Sequence, residues 1–238
     1  MSDIHANYTA LQAVLKAAGD VDETWFLGDL VGYGPDPNAV VEEVREIKNL
    51  TCLMGNHDVA VIGKMSLDTF NGEAKRSLMY HEKVLSASNL DYIKSLPSKA
   101  QTRGEATLAH GSPRDPLWEY ILNAMVASLN FDYFDTPWCF IGHTHLQSMF
   151  TRIERHNRTI ASPSKPDATV QLQPKMILNP GSVGQPRDRD PRAAYAIYDT
   201  EAQTWTPKRV AYNIPEVQER IRAAGLPEKH AVRIGEGW

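Results

Sequence analysis

Aspartate, asparagine and histidine recur in five short groups, and these residue types are the ligands that hard and borderline divalent metal ions prefer. In chain order the groups are Asp3 with His5, Gly28-Asp29, Gly55-Asn56-His57-Asp58, His110, and Gly142-His143-Thr144-His145. Five of the eight histidines fall within them, whereas neither cysteine does. The pattern therefore indicates metal-assisted chemistry with oxygen and imidazole ligands and without thiolates.

Two of the groups place metal-binding side chains two residues apart. Residues at this spacing on an extended segment face the same side, so Asp3 and His5 could hold one ion. His143 and His145 lie in a predicted loop, where the two imidazoles could instead be divided between two ions, with Asp29 as a shared carboxylate. Any one of these motifs alone is more typical of a tight turn than of a metal site. The five together favour a two-metal site suited to displacement at phosphorus.

The elements that position these groups are predicted from short apolar or β-branched runs that end at polar, glycine-rich turns. The predicted strands are Thr24–Leu27, Leu50–Met54, Ala106–Ala109, Trp138–Ile141, Met176–Leu178 and Ala194–Tyr198. Helical patterns lie between the strands, which predicts an α/β fold with helices covering the sheets. Four of the five groups directly follow a predicted strand, so we expect them to meet beyond the carboxyl ends of the sheet.

The length of 238 residues fits a single domain over residues 1–238. Residues 58–96 are mostly helical in pattern, and we expect this helical segment to wall the active-site cleft. Residues 215–238 are predicted to form one C-terminal helix, around Glu216 to Ala224, followed by a short polar tail.

Composition narrows the function classes. The formal net charge of −4 provides no overall basic field, so binding to nucleic acid is disfavoured except for a small nucleotide. No apolar stretch approaches the ~20 residues that span a bilayer, which predicts no membrane association. Cys52 and Cys139 both lie in apolar runs, where reduced, buried thiols are expected. We therefore expect a cytoplasmic enzyme acting on a small molecule.

In type and order, the five groups resemble the signature of the calcineurin-like metallophosphoesterase superfamily: Asp-x-His, Gly-Asp, Gly-Asn-His-Asp/Glu, a single His, and Gly-His-x-His. Downstream, residues 179–184 (Asn-Pro-Gly-Ser-Val-Gly) followed by Gln185-Pro186-Arg187 are similar to a signature of its small bacterial and archaeal phosphodiesterase branch. The resemblance implies a four-layer αββα sandwich in which two mixed β-sheets are flanked by helices.

The resemblance also implies a phosphoesterase with two divalent metal ions, which could be Mn, Fe, Zn, Co or Ni. The ligands of the first ion would be Asp3, His5, Asp29 and His145. Those of the second would be Asp29, Asn56, His110 and His143. A hydroxide bridging the two ions would attack phosphorus, as in other two-metal hydrolases.

The resemblance gives His57 a catalytic role rather than a ligand role. It would stabilise the developing charge or protonate the leaving oxygen, with Asp58 behind the imidazole fixing its tautomer. Asp58 could also cap the helix that follows it. Arg114 and Arg187 are possible phosphate contacts, but the preferred interpretation is that both are plain surface arginines, and neither is assigned to the site.

The sequence departs from the family pattern at its start. The family usually has a hydrophobic strand before the first Asp, whereas only Met1 and Ser2 precede Asp3 here. A fold without this central strand would leave buried backbone groups unpaired. We therefore expect a start codon placed too far downstream or a sequence recorded without its beginning, and Asp3 and His5 are the least secure ligands.

Several functions are compatible with these motifs. The main hypothesis is a metal-dependent phosphodiesterase or phosphatase acting on a small phosphate ester. A phosphatase for phosphoproteins or dinucleotide polyphosphates is the first alternative, because the block from Gly28 to Pro35 resembles those branches. A nuclease for long nucleic acid is disfavoured by the acidic balance. A non-catalytic scaffold or binding protein with the same fold is the alternative from another class, and missing ligands would favour it.

Overall fold

The computed structural model describes residues 1–156 and 158–238. Several helices begin at a side chain that accepts a hydrogen bond from the first helical turn, including Asn7, Asn71, Ser86 and Asn123. The α-helices of the described chain are α1 (Tyr8–Ala18), α2 (Pro37–Glu46), α3 (Asn56–Val61), α4 (Gly72–Val84), α5 (Ala87–Ser95), α6 (Ala124–Asn130), α7 (Ile214–Ala223) and α8 (Glu228–Glu236). None of these helices has the length and apolar character needed to cross a membrane.

Short strands form three hydrogen-bonded sheets in the described chain. The strands are β1 (Thr24–Phe26), β2 (Leu50–Cys52), β3 (Gln101–Arg103), β4 (Ala106–Leu108), β5 (Trp138–Phe140), β6 (Gln147–Ile153), β7 (Arg158–Pro163), β8 (Val170–Gln171), β9 (Met176–Pro180), β10 (Ala193–Asp199) and β11 (Thr204–Val210). The six-stranded sheet has the order β3-β4-β5-β9-β6-β7 and mixes parallel with antiparallel pairs. The two smaller sheets are the parallel pair β1-β2 and the antiparallel set β10-β11-β8.

Three apolar clusters show how the layers stack. One cluster, which includes Phe26 and Val40, packs the small sheets against α1 and α2. A second, which includes Phe140 and Trp205, lies between the small sheets and the six-stranded sheet. A third, which includes Phe131, covers the other face of the six-stranded sheet next to α6. The predicted α/β class, with mixed sheets between helical layers, is confirmed.

The layer of small sheets consists of two separate hydrogen-bonded sheets in the described chain, because β1 and β10 do not pair. A groove of about 910 Å³ separates them, and aromatic rings from both layers line it. These rings belong to Trp25, Phe140, Tyr198 and Trp205. The six-stranded sheet is continuous, whereas its partner layer is divided into two parts by this groove.

Residues Met1 to Asp3 continue the layer beside β1 for a short distance. The amino group of Met1 donates to the carbonyl of Trp25 (2.7 Å), and the Met1 carbonyl accepts from the N–H of Leu27 (3.0 Å). Because both backbone groups of a strand residue point to the same side, the N–H of Trp25 also faces the groove. The groove therefore presents an unpaired strand edge above an apolar floor.

An apolar extension engineered before Met1 is expected to occupy this groove. Five residues that alternate valine or isoleucine with threonine would pair with the free edge of β1 and bury two side chains on the aromatic floor. Burying one such side chain contributes about 1.5–3 kcal/mol before ordering costs, so a net gain of about 1 kcal/mol should raise Tm by about 2–4 °C. Thermal unfolding checks this, with a Gly-Ser extension of equal length as the control. Equal Tm values for the two extensions would contradict it.

The C-terminal region contains a second helix that the sequence interpretation missed. Residues 228–236 form α8 instead of a polar tail, and it packs against α7. Ala231 and Ile234 of α8 bury against Val217 and Ile221 of α7. The short helix is stable there because its few apolar residues recur on one face, against the apolar face of α7.

Candidate metal centre

The side chains predicted as metal ligands meet at one site, and each of them is no more than 2% exposed. All except Asp3 and His5 come from the segments that follow strands, as expected for residues at the carboxyl ends of a sheet. The seven residues are Asp3, His5, Asp29, Asn56, His110, His143 and His145. The structure therefore brings together residues that lie up to 142 positions apart in the chain, from 3 to 145.

Asp3, His5 and His145 form the first group with metal-binding spacing. The Nε2 atoms of His5 and His145 are 3.1 Å apart. The Asp3 Oδ1 atom lies 3.4 Å from His145 Nε2 and 3.9 Å from His5 Nε2. One cation could contact all three side chains.

Asp29, His110 and His143 form the second group. The Nε2 atom of His110 is 3.1 Å from Nδ1 of His143 and 3.4 Å from Oδ2 of Asp29. The Oδ1 atom of Asn56 is 3.2 Å from the same His110 nitrogen. Four donor atoms therefore face one point, in the combination of oxygen and imidazole that suits a divalent transition metal.

Asp29 lies between the two groups. Its Oδ2 atom is 3.5 Å from Nε2 of His5 and 3.4 Å from Nε2 of His110. Its Oδ1 atom accepts a hydrogen bond from the backbone N–H of His57 (2.9 Å). A side chain at Gly55 would clash with this carboxylate, because an added Cβ would lie 2.1 Å from Oδ1. The close approach of a glycine backbone thus leaves room for a carboxylate shared by both groups.

Backbone carbonyls orient three of the imidazoles. The Nδ1 atoms of His5, His110 and His145 donate to the carbonyls of Val31 (2.9 Å), Leu27 (2.8 Å) and Gln185 (2.6 Å), respectively. This arrangement directs each Nε2 atom towards the site. In a neutral ring it leaves Nε2 unprotonated, which is the tautomer that binds metal. His143 presents Nδ1 to the site instead, while its buried Nε2 has no hydrogen-bond partner among the described residues.

The backbone at the ligands is left-handed, which the sequence interpretation did not anticipate. Five of the seven candidate ligands have positive φ: Asp3, His5, Asp29, His143 and His145, with values from 49° to 65°. Asp3 and His5 therefore reach one site from a turn and not from an extended segment. Such conformations are unfavourable for residues with side chains and concentrate at functional sites.

The charge states suit metal binding. Burial lowers the pKa of His5 to about 3 and lowers those of His143 and His145 well below the usual value, so these imidazoles are neutral near pH 7. Burial also acts on His110, but the Asp29 carboxylate outweighs it and raises the pKa of His110 to about 9. Without a metal, the positive charge of protonated His110 therefore compensates the negative charge of Asp29. A bound metal cation would replace this proton.

Asp58 does not contact the His57 imidazole, contrary to the predicted role of fixing its tautomer. Its carboxylate accepts hydrogen bonds from the backbone N–H groups of Leu30 (3.2 Å), Val31 (3.1 Å) and Gly55 (2.9 Å). Asp58 occupies the third position of α3 rather than its N-cap. It therefore supports the backbone that carries Asp29, and Nδ1 of His57 has no hydrogen-bond partner in the described chain.

The segment after β9 fixes the loops that carry the ligands. Asn179 donates to the carbonyl of Gly142 (2.7 Å) and to the hydroxyl of Thr144 (3.0 Å). The hydroxyl of Ser182 donates to the carbonyl of Asp3 (2.7 Å). This part of the Asn-Pro-Gly-Ser-Val-Gly motif therefore positions the first and last ligand groups.

Aromatic residues near the ligands were missed by the sequence interpretation. Tyr120 stacks on His143 with ring centroids 3.9 Å apart, and Phe70 lies 4.9 Å from His57. The sequence offered no signal for these two residues, because scattered aromatics lack diagnostic spacing. Arg187, which the sequence offered as a possible phosphate contact, is half-buried beside Tyr33, with its guanidinium carbon 5.7 Å from the ring centroid.

His81 lies outside the five groups and holds a loop next to the site. Its Nδ1 atom accepts from the N–H of Gly32 (3.0 Å), and its Nε2 atom donates to the carbonyl of Gly34 (2.9 Å). The side chain is fully buried, and burial lowers its pKa to about 4. The neutral His81 side chain thus connects α4 to the loop that carries Tyr33 through two hydrogen bonds.

Replacing His81 with glutamine is expected to flatten the pH dependence of stability. Between pH 6.5 and 4 the unfolded chain binds a proton at His81 that the folded chain excludes, so folding free energy is lost as pH falls. In chelating buffer, the wild type should lose about 1.4 kcal/mol per pH unit more than His81→Gln between pH 6 and 5. Urea unfolding measures this, and the exposed His156→Gln provides the control. Parallel pH profiles for wild type and His81→Gln would contradict it.

Comparison with known proteins agrees with this geometry. The sequence pattern of the calcineurin-like phosphoesterase superfamily domain matches residues 1–203. The chain belongs to the calcineurin-like phosphoesterase superfamily. The resemblance inferred from the five groups is confirmed.

Three relatives of this calcineurin-like phosphoesterase illustrate the range of similarity. The crystal structure of a metallophosphoesterase from Sphaerobacter thermophilus is 46% identical, with a TM-score of 0.91 over 100% of this chain and 97% of that one. An uncharacterized protein of Methanocaldococcus jannaschii is 36% identical over 96% of this chain and 93% of its own length. A symmetrical bis(5'-nucleosyl)-tetraphosphatase of Erwinia tasmaniensis is 38% identical over only 66 residues, or 26% of this chain and 24% of that protein.

The calcineurin-like phosphoesterase therefore has buried groups of His and Asp side chains that could bind metal. The ligand atoms of these groups suit divalent ions, because they are imidazole nitrogens and carboxylate oxygens that face each other. The nitrogens are unprotonated except on His110. A further combination of His5, Asp29 and His57 also has metal-binding spacing. The site thus offers more ligand atoms than one ion needs.

Proposed function

We propose that the chain hydrolyses small phosphate esters at a centre of two divalent metal ions. The main support for this proposal is that Asp29 lies within 3.5 Å of an imidazole nitrogen from each ligand group. Asp3, His5 and His145 would hold one ion, while Asn56, His110 and His143 would hold the other. When bound, the metals supply Lewis acidity towards water and the phosphoryl oxygens.

The protein's own contribution is orientation and charge. The carbonyls behind His5, His110 and His145 keep each ring in the ligating tautomer. Asp29, anchored by the His57 N–H, sets the position of both groups relative to each other. The site is buried, so charges within it interact more strongly than in water.

We propose that His57 assists the leaving oxygen. Burial holds the pKa of His57 well below its usual value, so its ring is neutral near pH 7. A neutral imidazole stabilises developing negative charge by donating a hydrogen bond. We propose this role in preference to full proton transfer.

The function is tested by hydrolysis of p-nitrophenyl phosphate and bis(p-nitrophenyl) phosphate. Chelator-stripped protein should be inactive, and added Mn²⁺ should restore turnover of at least one ester. The ratio of the two rates defines preference for a monoester or a diester. A dinucleoside tetraphosphate is included because the match to the tetraphosphatases, although short, favours that substrate class as a second candidate. Folded, metal-loaded protein that hydrolyses none of the three would contradict the proposal.

His57→Ala is expected to lower kcat by about 10²–10⁴-fold, the range typical of a lost general acid–base or hydrogen-bonding catalyst. Its metal content should stay unchanged, because the proposal gives His57 no ligand role. Steady-state kinetics and elemental analysis measure the two quantities, with exposed His156→Ala as the matched control. Loss of one metal equivalent would instead indicate that the combination of His5, Asp29 and His57 binds an ion.

A further inference from the structure

Arg187 is a half-buried arginine beside the candidate metal centre. Among the side chains that the structure describes, no carboxylate lies within 4.0 Å of its guanidinium. Two other part-buried arginines have a carboxylate partner: Arg209 pairs with Asp188, and Arg220 pairs with Asp36 at 3.1 Å. A partly buried cation without a counter-charge is unfavourable unless a ligand supplies the charge. Arg187 therefore has the features of an anion-binding residue.

The segment that carries Arg187 is tied to a candidate ligand. The backbone N–H of Arg187 donates to the carbonyl of His145 (3.3 Å), and the carbonyl of Gln185 accepts from Nδ1 of His145 (2.6 Å). The Nη2 atom of Arg187 donates to Oε1 of Gln185 (3.0 Å) and to the hydroxyl of Tyr33 (3.4 Å). Its buried Nε atom has no hydrogen-bond partner in the described chain. Arg187 is thus held in place while its buried Nε donor is unused.

Tyr33 connects Arg187 to the cluster. Its ring centroid is 4.7 Å from that of His5 and 4.6 Å from that of His57. The Tyr33 side chain therefore links the guanidinium of Arg187 to His5 and His57 of the candidate metal site.

We propose that Arg187 and the Tyr33 hydroxyl bind an anionic, non-bridging oxygen of the substrate's phosphate group, beside the metal centre. The Tyr33 oxygen accepts from Arg187, so its own proton is free to donate to such an oxygen. Charge-assisted hydrogen bonds from a guanidinium are stronger than neutral ones and suit phosphate geometry. This inference rests on the proposed function and adds a specific phosphate contact to it. Gln185 is a positioning residue, because it acts through Arg187.

The test uses inorganic phosphate as the probe with full-length, Mn²⁺-loaded protein. Calorimetric titration should show that Arg187→Gln weakens phosphate binding by about 10–100-fold, the effect expected for a lost charge-assisted contact. KM for the ester should rise in parallel. Arg189→Gln removes the same charge from an exposed position on the same loop, and it should leave both quantities unchanged. Elemental analysis and Tm establish that each variant is folded and loaded.

Further variants separate the specific contact from a general effect of charge. Arg187→Lys should recover only part of the phosphate affinity, because lysine lacks the planar fork. Tyr33→Phe should weaken phosphate binding by less than Arg187→Gln. Guanidinium ion should restore activity to Arg187→Ala and should have no such effect on Arg189→Ala. Equal phosphate affinity and KM in Arg187→Gln and Arg189→Gln would overturn the inference.

The phosphate titration also keeps this inference separate from the proposed function. If wild type hydrolysed no ester but bound phosphate through Arg187, the proposed function would fail and the anion subsite would stand. If wild type hydrolysed esters with no contribution from Arg187, the opposite would hold.

Discussion

Asp29→Asn is expected to reduce kcat for phosphate-ester hydrolysis by about 10³-fold or more, the equivalent of about 4 kcal/mol of transition-state stabilisation. Asp29 is the carboxylate that approaches both imidazole groups, through His5 at 3.5 Å and His110 at 3.4 Å. An amide in its place retains one oxygen for the His57 N–H but removes the negative charge between two cations. The variant should therefore fold but bind fewer than two equivalents of metal.

Kinetics on Mn²⁺-loaded protein and elemental analysis check this result. Asp20→Asn is the matched control, because it makes the same chemical change at an exposed position. Asp29→Asn protein with two bound metals and near wild-type kcat would show that Asp29 does not join the two sites.

Asp58→Ala is expected to lower the free energy of unfolding by at least about 3 kcal/mol. The Asp58 carboxylate accepts from three backbone N–H groups, those of Leu30, Val31 and Gly55. Each buried N–H left without an acceptor costs about 1–3 kcal/mol. The three N–H groups belong to the turns on either side of Asp29. Loss of their hydrogen bonds to Asp58 should therefore loosen the backbone that carries this ligand.

Urea unfolding with linear extrapolation measures the change. Asp68→Ala is the control, because the exposed Asp68 pairs only with Lys75 at the surface and should contribute about 1 kcal/mol or less. A role behind the His57 imidazole predicts a different outcome, in which Asp58→Ala lowers kcat without a large loss of stability. That outcome would contradict the structural role assigned to Asp58.

Much of the fold was predictable because buried strands have a strong signal. All six predicted strands occur, each within a few residues of its expected bounds, from Thr24–Phe26 to Ala193–Asp199. Two of the strands that were missed, β3 and β7, are largely exposed. In β7 most side chains are exposed, and β3 has only three residues, so neither shows an apolar run. Their pairing depends on neighbours distant in sequence, which a local pattern does not contain.

The site was predictable in its residue types but not in its supporting contacts. Spacing and order identified the seven side chains that the structure brings together, because metal ligands are restricted to few residue types. The left-handed backbone at Asp3 and His5, the backbone contacts of Asp58 and the half-buried position of Arg187 arise only from tertiary structure. Each depends on groups more than 25 positions away, such as Leu30 for Asp58 and Tyr33 for Arg187.

The central claim is that Asp29 joins two metal sites, and anomalous diffraction from crystals loaded with Mn²⁺ tests it most directly. The account predicts two anomalous peaks about 3.5–4 Å apart. One peak should lie among Asp3, His5 and His145, the other should lie among Asn56, His110 and His143, and the Asp29 carboxylate should lie between them. A single peak, or peaks away from Asp29, would contradict the two-metal centre.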